Sequence, residues 1–165
     1  PDRIMVELTE HQPRALVSLE GLYLAAEDGA LFKRLQPGEH HDLPVVTGVD
    51  REAYRQERER VQASIREALV LARLVEGSSC LEGRKVSEVH LDELLGPSLI
   101  LDPGAVRVRM GAKTAESRLP MLCRVFDEMK QRKLVVRRVL LDLTSRPSWA
   151  VVLPEKRAAV KDVNL

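Results

Sequence analysis

Aromatic side chains are scarce in this chain: Phe, Tyr and Trp make up 3% of its 165 residues, with a single tryptophan. A core has to be packed from Leu, Val, Ile and Ala, with little ring stacking. Long apolar runs are missing as well. No stretch reaches the roughly 18 apolar residues that a membrane-crossing helix needs. A signal peptide is also lacking, and the chain starts at Pro1 inside a strand-like pattern. It therefore reads as an excised fragment from which a membrane anchor could have been removed upstream, so the missing span says little about location. Excess charge is absent too. The formal net charge is +1, which argues against nucleic-acid binding through overall positive potential. Nucleic acid is not an expected partner.

Catalytic signatures are missing. There is no Gly-x-Ser-x-Gly and no glycine-rich phosphate loop. His40, His41 and Asp42 are three metal-ligand types in a row, but adjacent residues seldom hold one ion well, and they read as a polar loop. His11 and His90 stand alone. Asp142 is the one carboxylate among apolar strand residues, and one acid without a second makes no acid–base pair. No enzymatic activity, metal or cofactor is expected. A hydrolase built around His40, His41 and Asp42 is the competing reading, and alanine at those positions should then abolish activity. The chain has two cysteines. Cys80 lies in the loop-like "EGSSCLEGRK". Cys123 falls on a helical stripe beside Leu and Phe and reads as a core thiol. A bridge between them requires the fold to bring them together.

Periodicity fills in the rest. "RIMVELT" over residues 3–9 alternates as a half-buried strand. Short strands follow over residues 15–18, 22–26 and 30–32, with Glu20-Gly21 and Asp28-Gly29 as tight turns. An aperiodic loop leads into the apolar "LPVVTG". Asp50 caps a long amphipathic helix that runs to Gly77. Tyr54, Val61, Ile65, Ala68, Leu69 and Ala72 form its apolar face, opposite Glu57, Arg58, Arg60 and Arg66. Strands are expected around Val86, Val89 and Leu91, and on both sides of the Asp102-Pro103-Gly104 turn. In the second of these, Val106, Val108 and Met110 face in while Arg107 and Arg109 face out. A second helix covers residues 114–132, with Leu119, Leu122, Cys123, Phe126 and Met129 on one stripe. Ser117 as its N-cap would place Pro120 in the first turn. A strand over residues 134–144, a turn and a closing strand complete the pattern. Residues 155–165 form a polar tail. The fold class is α+β: a mostly antiparallel sheet with two amphipathic helices packed on it.

The closing strand, "SWAVVL" over residues 148–153, carries no charge and reaches Pro154 without the Lys, Pro or bulge that usually blunts an edge. Either another strand of the domain covers it, or it stays open for strand addition from a partner.

Several stretches resemble, in order, the extracytoplasmic part of the FtsQ/DivIB family of bacterial division proteins. "PDRIMVELTEHQPRALV" resembles that family's junction between a POTRA domain and a β domain. "LYLAAEDGALF" resembles its strand–turn–Phe hairpin, and "LPVVTG" its Leu-Pro-x-Leu-x-Gly. "VRVRMG" is similar to its Val-x-Leu-Gly before the helix, and "RVLLDLTSRPSWAV" to its final hairpin. The resemblance implies residues 1–14 as the last strand of a POTRA domain and residues 15–154 as the β domain. It implies a scaffold of the divisome acting in septum formation, held in the cell inner membrane by one N-terminal helix, with this domain in the periplasm. FtsB-like and FtsL-like bitopic proteins, along with other divisome proteins, are the implied partners. The contact residues would be Ser145, Ser148, Trp149, Ala150, Val151, Val152 and Leu153, at an open edge on the C-terminal strand. This chain departs from the family in having Thr144-Ser145 where Arg-Tyr is usual, and Ser148 at the turn glycine. A POTRA-associated chaperone or transport module of an outer-membrane assembly system is the alternative.

Overall fold

A computed structural model describes residue 5 and residues 10–81, 83–111, 114–141 and 150–154. The strands are β1 (Ala15–Ser18), β2 (Leu22–Ala25), β3 (Leu31–Arg34), β4 (Val45–Thr47), β5 (Lys85–His90), β6 (Ser98–Asp102), β7 (Val106–Arg109), β8 (Val136–Leu140) and β9 (Val151–Pro154). The helices are α1 (Arg51–Gln56), α2 (Arg58–Glu76) and α3 (Ala115–Gln131), with a short 3-10 turn at Ser79–Leu81. All nine strands join one open sheet in the order β3-β2-β1-β4-β5-β6-β7-β8-β9. Antiparallel pairing links β1–β2, β2–β3, β5–β6, β6–β7 and β8–β9. Parallel pairing links β1–β4, β4–β5 and β7–β8, the places where α1–α2 and α3 make their crossovers or a long loop returns. The α+β architecture expected from the sequence is the one observed.

Register explains the core. Val17 pairs with Val46, Val46 with Val89, Val89 with Leu99, Leu99 with Val108, and Val108 with Val139. These residues form one row across the sheet at 0–1% exposure. Because side chains alternate along a strand, all of them point to the face that the helices cover. On α2 the residues Val61, Ile65, Ala68, Leu69, Leu71, Ala72 and Val75 are buried against that row. Each fully buried Val, Ile or Leu contributes about 1.5–3 kcal/mol of apolar transfer. Leu122, Phe126 and Met129 of α3 extend the same core.

Two helical details differ from the sequence pattern. The helix starting at Asp50 is capped as expected, with Asp50 Oδ1 accepting from the Ala53 N–H at 2.8 Å. It breaks, however, at Glu57 (φ −129°, ψ 47°), giving α1 and α2. Residues 55–60 are all exposed, so no packed side chain holds this turn in helical geometry. In α3 the N-cap is Thr114 rather than Ser117, which leaves Pro120 inside the helix. The Ser117 Oγ donates to the Thr114 carbonyl at 2.8 Å and tightens the first turn. Pro120 is solvent-exposed, and its position forfeits one intrahelical hydrogen bond.

Cys123 is not a free core thiol. It is bonded to Cys80 across 43 residues of sequence, with the Cα atoms 5.3 Å apart. The packing of α3 on the Ser79–Leu81 turn brings the pair together, and nothing local in either sequence reveals it. Replacing both cysteines by serine is expected to lower stability by about 2–4 kcal/mol, read from denaturant or thermal unfolding.

Two turn glycines lie against backbone. Gly29 has φ +86°, and a Cβ there would sit 2.1 Å from the Gln62 carbonyl oxygen of α2. Gly48 has φ +80° and would meet the Leu91 carbonyl oxygen at 2.1 Å. Gly38 has φ +89° with open space around it. Gly38→Ala should therefore cost about 1 kcal/mol of backbone strain. Gly29→Ala should cost clearly more, about 2–4 kcal/mol, because the turn must lift off α2. Equal costs in unfolding experiments would show that the close approach carries no weight.

Candidate functional site

β9 is the last strand of the sheet, and no strand among the described residues pairs with its outer side. The backbone of β8 tells which groups of β9 are free. The Leu141 N–H donates to the Arg109 carbonyl of β7 at 3.0 Å. By strand alternation, Val139 also faces β7, whereas Arg138 and Leu140 face β9. Leu140 is registered with Val151 and Arg138 with Leu153, so these are the hydrogen-bonded pairs. Val139 and Val152 form the intervening pair without mutual hydrogen bonds. Val152 consequently directs its N–H and C=O away from the sheet, as Ala150 does, while Pro154 offers no N–H.

The side chains divide at right angles to this. Ala150 and Val152 pack against the core, and Val152 continues the aliphatic row through Val139. Val151 and Leu153 point to the other face and are 36% and 42% exposed. On that face Arg138 is registered with Leu153 on one side and with Arg107 of β7 on the other. Arg107 and Arg138 are both exposed. Two like charges directly opposite one another disfavour the pair. The face beside the edge is thus aliphatic at its rim and basic behind it.

The opposite edge of the sheet is built differently. β3 carries exposed Lys33 and Arg34, its pairing with β2 is interrupted by a bulge between Leu24 and Ala25, and Lys33 bonds Glu39 at 2.6 Å. Charge and a bulge are the usual devices against strand addition. Along Val151–Leu153 β9 carries no charge, and the irregularity in its pairing with β8 falls only at its end, between Val136 and Arg138 beside Pro154.

Of the contact residues that the sequence reading named, Ala150, Val151, Val152 and Leu153 lie together on this edge. Ser145, Ser148 and Trp149 fall outside the described residues, as do Asp142, the polar tail and, apart from Met5, the strand over residues 3–9. Sequence reasoning passed over Arg118 of α3. It is buried at 6% exposure, and its guanidinium donates to the Leu141 carbonyl. Its signal was its spacing, four residues before Leu122 and eight before Phe126, on the apolar stripe of the helix.

Elsewhere the chemistry is modest. Among the described residues no group of three His, Cys, Asp or Glu side chains converges as a metal site, and Asp42 pairs with Lys85 at 3.2 Å. The Thr47 hydroxyl lies 2.7 Å from the Glu88 carboxylate and 2.9 Å from His90 Nδ1. A cleft of about 800 Å³ lies beside α2, lined by Ser64, Leu71, Leu74, Pro97 and Met110 among others. Its one serine is committed to the Arg60 carbonyl at 3.2 Å. At the β5–β6 turn, the Leu95 and then the Leu94 N–H donate to Asp92 and hold its carboxyl below the usual carboxylate range. This fixes the turn that presents exposed Leu94.

Comparison with known proteins identifies the family. The family described as Cell division protein FtsQ/DivIB, C-terminal, matches residues 15–153. A cell division protein FtsQ of Myxococcus fulvus is 38% identical over 152 residues, covering 92% of this chain and 53% of that protein. An FtsQ of an Anaeromyxobacter species is 35% identical over 152 residues, with 92% and 51% covered. One of Syntrophotalea carbinolica is 34% identical over 146 residues, with 88% and 52% covered. This chain spans about half the length of these curated relatives. The family match runs from the first residue of β1 to within one residue of the end of β9, and on that ground the chain belongs to the FtsQ/DivIB family of cell-division proteins.

Proposed function

We propose that this chain is the partner-binding β domain of a non-enzymatic division scaffold, and that it takes up a strand from FtsB- or FtsL-like proteins along β9. The observation that carries the reading is the unblunted edge, where Val152 turns its N–H and C=O outward and no charge interrupts Val151–Leu153. An added strand would satisfy those groups, giving register and affinity through backbone bonds and specificity through alternate side chains. On the core side it would place an apolar residue next to Val152 and extend the row beneath the helices. On the other side its residues would meet Val151 and Leu153, with Arg107 and Arg138 favouring acidic neighbours. Ser145, Ser148 and Trp149 complete the proposed contact set. Residues 1–14 would be the closing strand of a preceding POTRA domain.

The Cys80–Cys123 bond supports placing this domain outside the cytoplasm, since disulfides persist in oxidising compartments and are rare where thiol reductants dominate. Among the described residues no helix is long and apolar enough to cross a membrane; attachment through a segment N-terminal to this domain is part of the proposal. In intact cells, Cys80 and Cys123 are expected to resist a thiol-alkylating reagent until a reductant is added. Immediate labelling of both would place the domain in a reducing compartment.

Strand addition has a specific test. Val152→Pro removes an N–H that no strand among the described residues uses; trimming a core-packed side chain and fixing φ should cost about 1–2 kcal/mol and leave the domain folded. Titration with the extracytoplasmic segments of the same cell's FtsB- and FtsL-like proteins should then show binding weakened at least tenfold. Val151→Pro removes the donor to Leu140 instead and should loosen the hairpin itself by about 1–3 kcal/mol. Full binding by a folded Val152→Pro variant would refute the edge mechanism.

A further inference from the structure

Arg118 is the one polar or charged residue among the buried described residues. Burying a guanidinium costs several kcal/mol before its hydrogen bonds and charge partners offset the loss, so its place calls for a reason. One of its bonds, to the Leu141 carbonyl, is informative. The Leu141 N–H is the last rung of the parallel β7–β8 ladder described here, bonding the Arg109 carbonyl. The next rung would join the Leu141 carbonyl to the N–H of residue 111. β7, however, ends at Arg109, and Gly111 takes φ +80°, a left-handed conformation that turns the chain out of the ladder. The Arg118 guanidinium supplies a donor to that carbonyl in place of the strand.

The same helix is held from behind. Cys123 lies five residues further along α3 and is bonded to Cys80 in the Ser79–Leu81 turn. α3 is thereby fixed to the α2 side of the core at one point and grips the end of β8 at another. Among the described residues β9 has only β8 as its neighbour in the sheet, so the position of the open edge follows that of β8.

We propose that Arg118 is a positioning residue for the partner-binding edge: by closing the open end of the β7–β8 ladder at Leu141, it holds the β8–β9 hairpin in the arrangement that an incoming strand requires. At 6% exposure it lies too deep to touch a partner itself. The inference rests on β9 being the binding edge, and a readout that needs no partner separates the two ideas.

The experiment compares the chain with R118M and R118K by amide hydrogen exchange and by titration with the FtsB- and FtsL-like segments. In R118M, exchange at Val139, Leu141 and Val151 should accelerate at least tenfold, while Ile65, Leu69 and Val75 of α2 stay within twofold. Partner affinity should fall at least tenfold. R118K retains charge and a donor, and should restore hairpin protection and affinity to within about threefold of the parent. Should R118M fail to fold, R118K decides alone: a smaller selective acceleration at the same three amides supports the proposal. Unchanged hairpin protection overturns it, and so does equal acceleration in α2 and the hairpin. If the parent binds neither segment, the edge function fails, and the exchange result still decides whether Arg118 positions the hairpin.

Discussion

A row of aliphatic side chains, Val17, Val46, Val89, Leu99, Val108 and Val139, crosses the sheet in register and lies under two helices at near-zero exposure. The rest of the structure depends on that row. With so few aromatic rings in the chain, the core gains its dispersion energy from many close aliphatic contacts, each small and all of them sensitive to register. A slip of one residue in any strand would turn its member of the row toward water. The same constraint fixes where the crossover helices lie and leaves the other face free to carry Arg107, Arg138, Glu88 and His90.

Covering only one face has a consequence for the edges. A sheet that neither closes nor is sandwiched must end twice, and the ends here are treated differently. β3 is protected by charge and a bulge, whereas the row runs out at Val152 with backbone groups still directed outward. Stability and binding are therefore served by the same residue in perpendicular directions: the Val152 side chain belongs to the core, and its peptide groups belong to whatever pairs with it.

Two long-range links hold that edge strand in place. The Cys80–Cys123 bond fixes α3 to the α2 side, and Arg118 ties α3 to Leu141, just past the end of β8. Both act across sequence distances that no local pattern spans. They place a covalent bond and a buried cation on a helix whose apolar stripe alone would allow it to slide or rotate. Such adjustments are cheap for aliphatic packing and costly for directed bonds.

Much of the fold was legible in the sequence because it is local. "ALVS" and "SLILD" read as strands, alternation over "VRVR" also gave the correct face, and Asp50 announced its helix. The uncharged closing strand marked itself as an edge to be either covered or used. What stayed hidden was non-local or depended on the absence of packing. The break at Glu57 arises because nothing presses on residues 55–60. The early start of α3 reflects a turn tightened by Ser117. The disulfide depends on α3 meeting a turn 43 residues earlier, and the burial of Arg118 depends on a strand that ends one rung short. The sequence by itself determined which residues face the core, since periodicity along one element is enough to say so. Only the tertiary structure decided which strand lies outermost and which of its amides points outward, because strand order and hydrogen-bond phase are properties of neighbours rather than of any one segment.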